Sequence, residues 1–166
     1  MSVALVGLPG AGKSAVGRRL AQRLQVPFID SDQVIEERAG MPIRQIFADM
    51  GEPAFRELEH AVIADLLAGP DVVLALGGGA PRHESTRKLL AAVPVVYLRV
   101  GYPEALTRVG GDTGRPMLAR PDVEALHAER QAVYASVATV TVDTDGRLPD
   151  EIVRELLASL DEPHRS

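Results

Sequence analysis

The feature that most constrains the fold is a glycine-rich stretch near the start of the chain. Residues 7–14 have the sequence GLPGAGKS. They follow a short apolar run, Val3–Val6, and precede a segment with apolar residues at helical spacing. Glycines in such a loop let the backbone wrap closely around phosphate oxygens, and the start of the following helix adds a favourable dipole. The order of strand, loop and helix therefore predicts a phosphate-binding loop.

The rest of the chain alternates short apolar runs with amphipathic segments, which is typical of α/β domains with a largely parallel sheet. The length of 166 residues suits a single domain, residues 1–166. The predicted strands are Val3–Val6, Phe28–Asp30, Val72–Leu76, Val95–Val100 and Val137–Val142. The predicted helices are Lys13–Leu24, Asp32–Ala39 capped by Ser31, Ile43–Asp49, Glu52–Leu67, Glu84–Ala91, Pro103–Val109, Asp122–Ser136 and Pro149–Leu160. We expect a mobile loop between the helices that begin at Pro103 and Asp122, because this stretch is rich in Gly and Pro.

Composition and charge exclude several classes of protein. A formal net charge of −5 argues against a general nucleic-acid binder, which usually carries a basic face. The absence of cysteine excludes disulfides and thiolate metal sites. No segment has the pattern of a signal peptide or the length of a membrane span. We therefore expect a cytoplasmic protein that binds neither nucleic acid nor membrane. We also expect a monomer, because the sequence has no long exposed apolar stripe that would require a partner.

Lys13 is the most informative cation in the chain. Of the eighteen basic residues, Lys13 and Lys88 are the two lysines, so a lysine retained inside the loop is unusual. We expect Lys13 to reach the β- and γ-phosphates of a nucleotide and Ser14 to ligate Mg²⁺. The residues predicted to bind ATP in and beside the loop are Gly10, Ala11, Gly12, Lys13, Ser14 and Ala15.

A phosphate-binding loop does not choose the reaction, because GTPases and motor ATPases share it. Those proteins usually have an apolar strand that ends in an aspartate for Mg²⁺, whereas the strand Val72–Leu76 is followed by glycines 77–79. Carboxylates instead follow the second strand, as Asp30 and Asp32. One could hold Mg²⁺ through water while the other meets an acceptor hydroxyl. Alternatively, Asp30 is a turn residue and Asp32 helps to cap a helix.

The three consecutive glycines also allow two interpretations. Glycine loses the most conformational entropy on folding, so three together need a physical reason. Close approach of the backbone to a small ligand is one such reason, and a simple tight turn is the other.

Several short motifs occur together in a characteristic order. They are the loop at 7–14, FIDSD at 28–32, IF at 46–47, GE at 51–52, FR at 55–56 with Glu59, LGGG at 76–79, RP at 115–116 and a later Arg130. In combination they resemble the shikimate kinase family over nearly the whole chain. The resemblance implies a P-loop NTPase fold of the nucleoside-monophosphate-kinase type, a three-layer α/β/α domain with a five-stranded parallel sheet and a mobile lid at about residues 110–122. It also implies transfer of the γ-phosphate of ATP to the 3-hydroxyl of shikimate, a step of aromatic amino acid biosynthesis.

The resemblance assigns a role to each matching residue. Asp32 matches the aspartate that binds the reacting hydroxyl, and Asp30 matches the one near the water shell of a single Mg²⁺ per subunit. Arg56 and Arg130 match the arginines that hold the substrate carboxylate, which suits the planar fork of a guanidinium. Glu59, one helical turn beyond Arg56, could hold that side chain in place. The glycines matching the backbone beside the substrate are Gly77, Gly78 and Gly79. The implied substrate-binding region covers about residues 31–60.

The remaining matches concern the nucleotide. Arg115 matches the lid arginine that neutralises charge on the γ-phosphate, which with Lys13 and Asp32 completes the implied catalytic set. Arg108 and Arg147 match positions near adenine. Two other interpretations stay open, namely a related small-molecule kinase such as gluconate kinase and a nucleotide-binding regulator without activity. The implied partners are therefore ATP and shikimate.

Overall fold

A computed structural model describes residues 1–8, 11–101 and 123–161, the last range with side chains from Ala128 to Leu160. Within these ranges, five strands form one parallel sheet: β1 (Val3–Val6), β2 (Phe28–Asp30), β3 (Val73–Ala75), β4 (Val95–Arg99) and β5 (Val140–Asp143). The strand order is β2-β3-β1-β4-β5. The sheet thus has the predicted strand number and direction.

Helices follow the strands in a regular alternation. They are α1 (Lys13–Leu24), α2 (Ser31–Ala39), α3 (Ile43–Ala68), α4 (Glu84–Leu90), α5 (Val123–Val137) and α6 (Pro149–Asp161), with a 3₁₀ turn at Ala80–Arg82. Helix α1 packs beside α6, α3 packs on α4, and α5 packs on β4. None of the helices in the described ranges combines the length and apolar character that a membrane span requires.

The core lies around the central strand. All four residues of β1 are buried, as expected for a parallel strand covered on both faces. Leu5, Leu74 and Leu98 on three adjacent strands are fully buried, and each contributes on the order of 2 kcal/mol through burial. The apolar face of α1, with Val16 and Leu20, closes one side of this core.

Helices α2 and α3 have an apolar cluster of their own. Its buried members are Ile35, Ile46, Phe55 and Val62. Gly51 divides α3 into two segments, because its φ of 83° and ψ of 167° lie outside the helical region and favour glycine. The sequence had predicted two helices that meet near this glycine, and this prediction is confirmed.

Several predicted boundaries were wrong by a few residues. Strand β3 is one residue shorter at each end than predicted, and β4 ends at Arg99 rather than at Val100. Strand β5 begins at Val140, because helix α5 continues to Val137 and the Ala138 N–H still bonds to the Tyr134 carbonyl. The predicted helix Pro103–Val109 and loop 110–122 lie outside the described residues.

Candidate active site

One cavity of about 400 Å³ lies where β1, β2 and β3 end. Because β3 lies between β1 and β2 in a parallel sheet, the carboxyl ends of the three strands meet at one edge. The cavity is lined by Leu8, Gly12, Lys13, Ser14, Ala15, Asp30, Asp32, Leu76, Gly77 and Gly78. The phosphate-binding loop, both predicted carboxylates and two of the three glycines therefore share one cavity.

The Lys13 side chain folds back over the loop that precedes it. Its Nζ donates to the carbonyl of Gly7 at 2.6 Å and to that of Leu8 at 3.3 Å. The half-buried ammonium group is thus held above the loop, on the cavity side. Ser14, next along α1, exposes its hydroxyl to the same space.

Asp30, not Ser31, caps helix α2, which corrects the sequence prediction. Asp30 has extended backbone angles, and its Oδ1 accepts the Asp32 N–H at 2.9 Å. Ser31 is fully buried, and its Oγ instead accepts the Gly77 N–H at 3.3 Å. Asp30 is therefore both the cap of α2 and a lining residue of the cavity.

Asp32 lines the cavity and lies close to several charged groups. Burial, followed by the neighbouring Asp30 carboxylate, raises the pKa of Asp32 above its usual range. The positive charges of Lys13 and Arg56 both lower it in part, so both cations act on the same carboxylate. Such an environment makes a carboxyl group a stronger proton acceptor when it is ionised.

Arg56 is held in one position by its own helix. Its Nη1 donates to Oε1 of Glu59 at 2.7 Å, and its guanidinium lies over the rings of Phe55 and Phe47 at 5.1 and 6.0 Å. Glu59 is only 1% exposed, and burial raises its pKa although Arg56 opposes the rise. The predicted pairing of Arg56 with Glu59 is thus present.

The glycines after β3 make room for these two charged side chains. A Cβ atom on Gly77 would lie 2.5 Å from Oδ1 of Asp32, and one on Gly79 would lie 2.9 Å from Cζ of Arg56. Gly79 does not line the main cavity, whereas Gly77 and Gly78 do. The loop is therefore more than a tight turn: it approaches the side chains predicted to bind the acceptor.

Two buried hydroxyls hold this loop. The Ser31 hydroxyl accepts from the Gly77 N–H, as described above, and the Tyr134 hydroxyl donates to the Gly78 carbonyl at 2.7 Å. From the sequence alone, Tyr134 would be assigned to helix packing. Its spacing of four residues from Arg130 was the available signal, since this spacing places both on one helix face.

Arg130 and Arg147 lie apart from the main cavity. Arg130 is half-buried on α5, and its Nε is buried without a hydrogen-bond partner in the part of the chain that the structure describes. Arg147 lines a separate cavity of about 300 Å³, which shares Gly12 and Ala15 with the main one. Its Nη1 contacts the Asp143 carbonyl and Oε1 of Glu155, each at 3.1 Å. Gly10, Arg108 and Arg115 lie outside the described residues.

Two histidines, His60 and His83, pack against each other. Both are half-buried, with ring centroids 5.9 Å apart and both Nδ1 atoms buried. His83 lines a cavity of about 210 Å³ together with Glu52, Arg56 and Arg82. Among the described residues, no group of three His, Cys, Asp or Glu is placed to hold a metal ion.

Fold and site together define a P-loop phosphotransferase of the nucleoside-monophosphate-kinase type. The Shikimate kinase family model matches residues 9–161. A shikimate kinase from Mycobacterium avium (strain 104) is 48% identical over 160 residues, which cover 94% of this chain and 91% of that protein. This chain belongs to the shikimate kinase family.

Solved structures give the same result. A shikimate kinase from Acinetobacter baumannii in complex with shikimate has a TM-score of 0.86 and 34% identity, with 98% of this chain and 95% of that chain covered. A gluconokinase from Sinorhizobium meliloti 1021 is more distant, with a TM-score of 0.63 and 25% identity, and 96% and 90% covered.

Proposed function

We propose that this chain transfers the γ-phosphoryl group of ATP to the 3-hydroxyl of shikimate. The carrying observation is that Asp32 lines the same cavity as Lys13 of the phosphate-binding loop and that the charges of both Lys13 and Arg56 act on its carboxylate. An acceptor with a hydroxyl group near Asp32 and a carboxylate near Arg56 matches this set of charges. Shikimate is a small polyol with one carboxylate, and family membership supports it as the acceptor.

The proposed reaction is an in-line displacement at phosphorus. The acceptor oxygen forms a bond to the γ-phosphorus while the bond to the bridging oxygen of ADP breaks, and Asp32 takes the hydroxyl proton. Lys13 stabilises negative charge on the transferred group. Arg56, fixed by Glu59, binds the acceptor carboxylate and so places the hydroxyl beside Asp32.

The donor set fits a Mg²⁺ ion shared with the nucleotide. Mg²⁺ prefers oxygen ligands, keeps several waters and is usually bound through one or two carboxylates and substrate phosphates. The Ser14 hydroxyl and the Asp30 carboxylate line the same cavity, and Asp30 Oδ1 already accepts the Asp32 N–H. Ser14 would ligate the ion directly and Asp30 through water, and the bound ion would neutralise phosphate charge.

The remaining roles rest on the matching sequence positions. We assign Arg130 to the acceptor carboxylate, Arg115 to the γ-phosphate, and Arg108 and Arg147 to the adenine region. The position of Arg147 in a cavity that adjoins the phosphate-binding loop supports its assignment. One Mg²⁺ per chain, the monomeric state and the cytoplasmic location stay predictions.

A panel of acceptors tests the proposal. Purified protein with ATP and Mg²⁺ should phosphorylate shikimate far faster than gluconate or nucleoside monophosphates, measured as ADP release in a coupled assay. Gluconate is the informative competitor because a gluconokinase shares the fold. A preference for gluconate, or no ADP release with any acceptor, would refute the substrate assignment.

A further inference from the structure

A buried tyrosine reaches the wall of the active-site cavity from outside it. Tyr134 on α5 is 1% exposed and does not line the cavity, yet its hydroxyl donates to the carbonyl of Gly78, which does. The two residues are 56 positions apart in the sequence. The hydrogen bond therefore connects the packed interior to a part of the chain that is predicted to contact the acceptor.

The bonded carbonyl belongs to a segment whose backbone torsions are little restricted by side chains. Three successive glycines have no Cβ atoms to restrict their torsions, so an external contact has to select one orientation. A peptide group is planar and trans, so a fixed Gly78 carbonyl also fixes the direction of the Gly79 N–H on the opposite side. Ser31 holds the loop one residue earlier, through the Gly77 N–H.

The same helix carries Arg130 one turn before Tyr134. Burial raises the pKa of the Tyr134 hydroxyl, and the adjacent Arg130 guanidinium lowers it in part. The phenol therefore stays protonated at neutral pH and remains a donor. Arg130 and the glycine loop, both predicted to contact the acceptor, thus meet at one side chain.

We propose that Tyr134 is a positioning residue for acceptor binding, which orients the Gly78–Gly79 peptide and fixes its distance from Arg130. The inference rests on the proposed function, because it takes the acceptor to bind beside this peptide. Without the hydroxyl, the Gly78 carbonyl would lose its partner and the loop would sample other orientations.

Tyr134→Phe removes the hydroxyl and keeps the ring, and Tyr97→Phe is the matched control. Tyr97 is also buried, its ring lies 5.4 Å from that of Tyr134, and the side chain near its hydroxyl is that of Gln131. Tyr134→Phe should raise the KM for shikimate about fivefold to tenfold, with the KM for ATP unchanged. Tyr97→Phe should leave both values within about twofold.

The outcomes separate this inference from the proposed function. A wild-type enzyme without activity on shikimate would overturn both. An active wild type with equal shikimate KM in wild type and Tyr134→Phe would overturn the positioning role alone, as would equal rises in the two variants. If Tyr134→Phe has a lower melting temperature but an unchanged KM for shikimate, Tyr134 stabilises the fold by packing and does not position the acceptor.

A measurement on the wild type keeps the inference testable if Tyr134→Phe does not fold. Tyrosine labelled with ¹³C at the ring carbon that bears the hydroxyl reports on the hydrogen bond of that hydroxyl. Saturation with shikimate should shift the Tyr134 signal and leave the Tyr97 signal, assigned from Tyr97→Phe, in place. A Tyr134 signal that does not move would overturn the positioning role.

Discussion

Gly79→Ala should damage acceptor binding while leaving the fold intact. Gly79 has φ −95° and ψ −5°, the negative-φ region that the third residue of a type I turn adopts and that is open to alanine, so the added methyl group is the main perturbation. That methyl would lie 2.9 Å from Cζ of Arg56, whereas carbon atoms in contact prefer about 3.5–4.0 Å. The guanidinium is the end of a flexible side chain, so it moves and the backbone stays.

The magnitude follows from what Arg56 loses when it moves. A shift of roughly 1 Å at the guanidinium breaks its 2.7 Å bond to Glu59 and misaligns it with the acceptor carboxylate. A hydrogen bond to a charged group contributes about 1.5–3 kcal/mol, which corresponds to a rise of roughly tenfold to a hundredfold in the KM for shikimate. The KM for ATP should not change, because the phosphate-binding loop is untouched.

Steady-state kinetics with each substrate varied in turn, together with thermal unfolding, measure this effect. Gly69→Ala is the matched control, since its φ is −88° and the nearest atoms to an added Cβ lie 3.6 and 3.7 Å away. It should behave as wild type within about twofold. If Gly79→Ala binds shikimate as wild type does, the glycine is not needed to accommodate Arg56 and the reasoning is refuted.

Three further predictions concern the carboxylates. Asp32→Asn should lower kcat at least about 100-fold, and nearly unchanged activity would contradict its role as the base. Because the pKa of Asp32 is raised above 3.8, kcat/KM of the wild type should fall as the pH drops through that higher value and Asp32 takes up a proton; Asp32→Asn should lack this acid limb of the pH–rate profile. Glu59→Gln keeps the shape of the side chain but removes its charge from Arg56, so the KM for shikimate should rise about threefold to tenfold, less than in Arg56→Ala. Equal KM values in Glu59→Gln and wild type would show that Arg56 does not need the charged partner.

The order of strands and helices could be predicted because local signals mark each element. Gly40 and Gly51 end helical segments where the sequence placed them, and the apolar runs of the strands are continuous. The contact between Arg56 and Glu59 could also be predicted from the sequence, since the two residues lie within one helical turn.

The hydrogen bonds that hold the glycine loop could not be predicted, because they join distant parts of the chain. Ser31 and Gly77 are 46 positions apart, and no pattern in the sequence specifies that pairing. The contact between His60 and His83 could not be predicted for the same reason, since it depends on how α3 packs against the 3₁₀ turn. A single sequence shows which residues have the right chemistry, but not which hydroxyl meets which backbone group.

The separate apolar cluster of α2 and α3 bears on how acceptor choice can change. Arg56 and Glu59 belong to helix α3, whose Ile46, Phe55 and Val62 pack with Ile35 in this cluster, while Ile63 of the same helix joins the core around the sheet. Substitutions within this cluster can therefore reshape the proposed acceptor site while the nucleotide machinery on β1 and α1 keeps its own packing. Acceptor specificity is in this sense modular: it can diverge without rebuilding the part of the fold that handles phosphate.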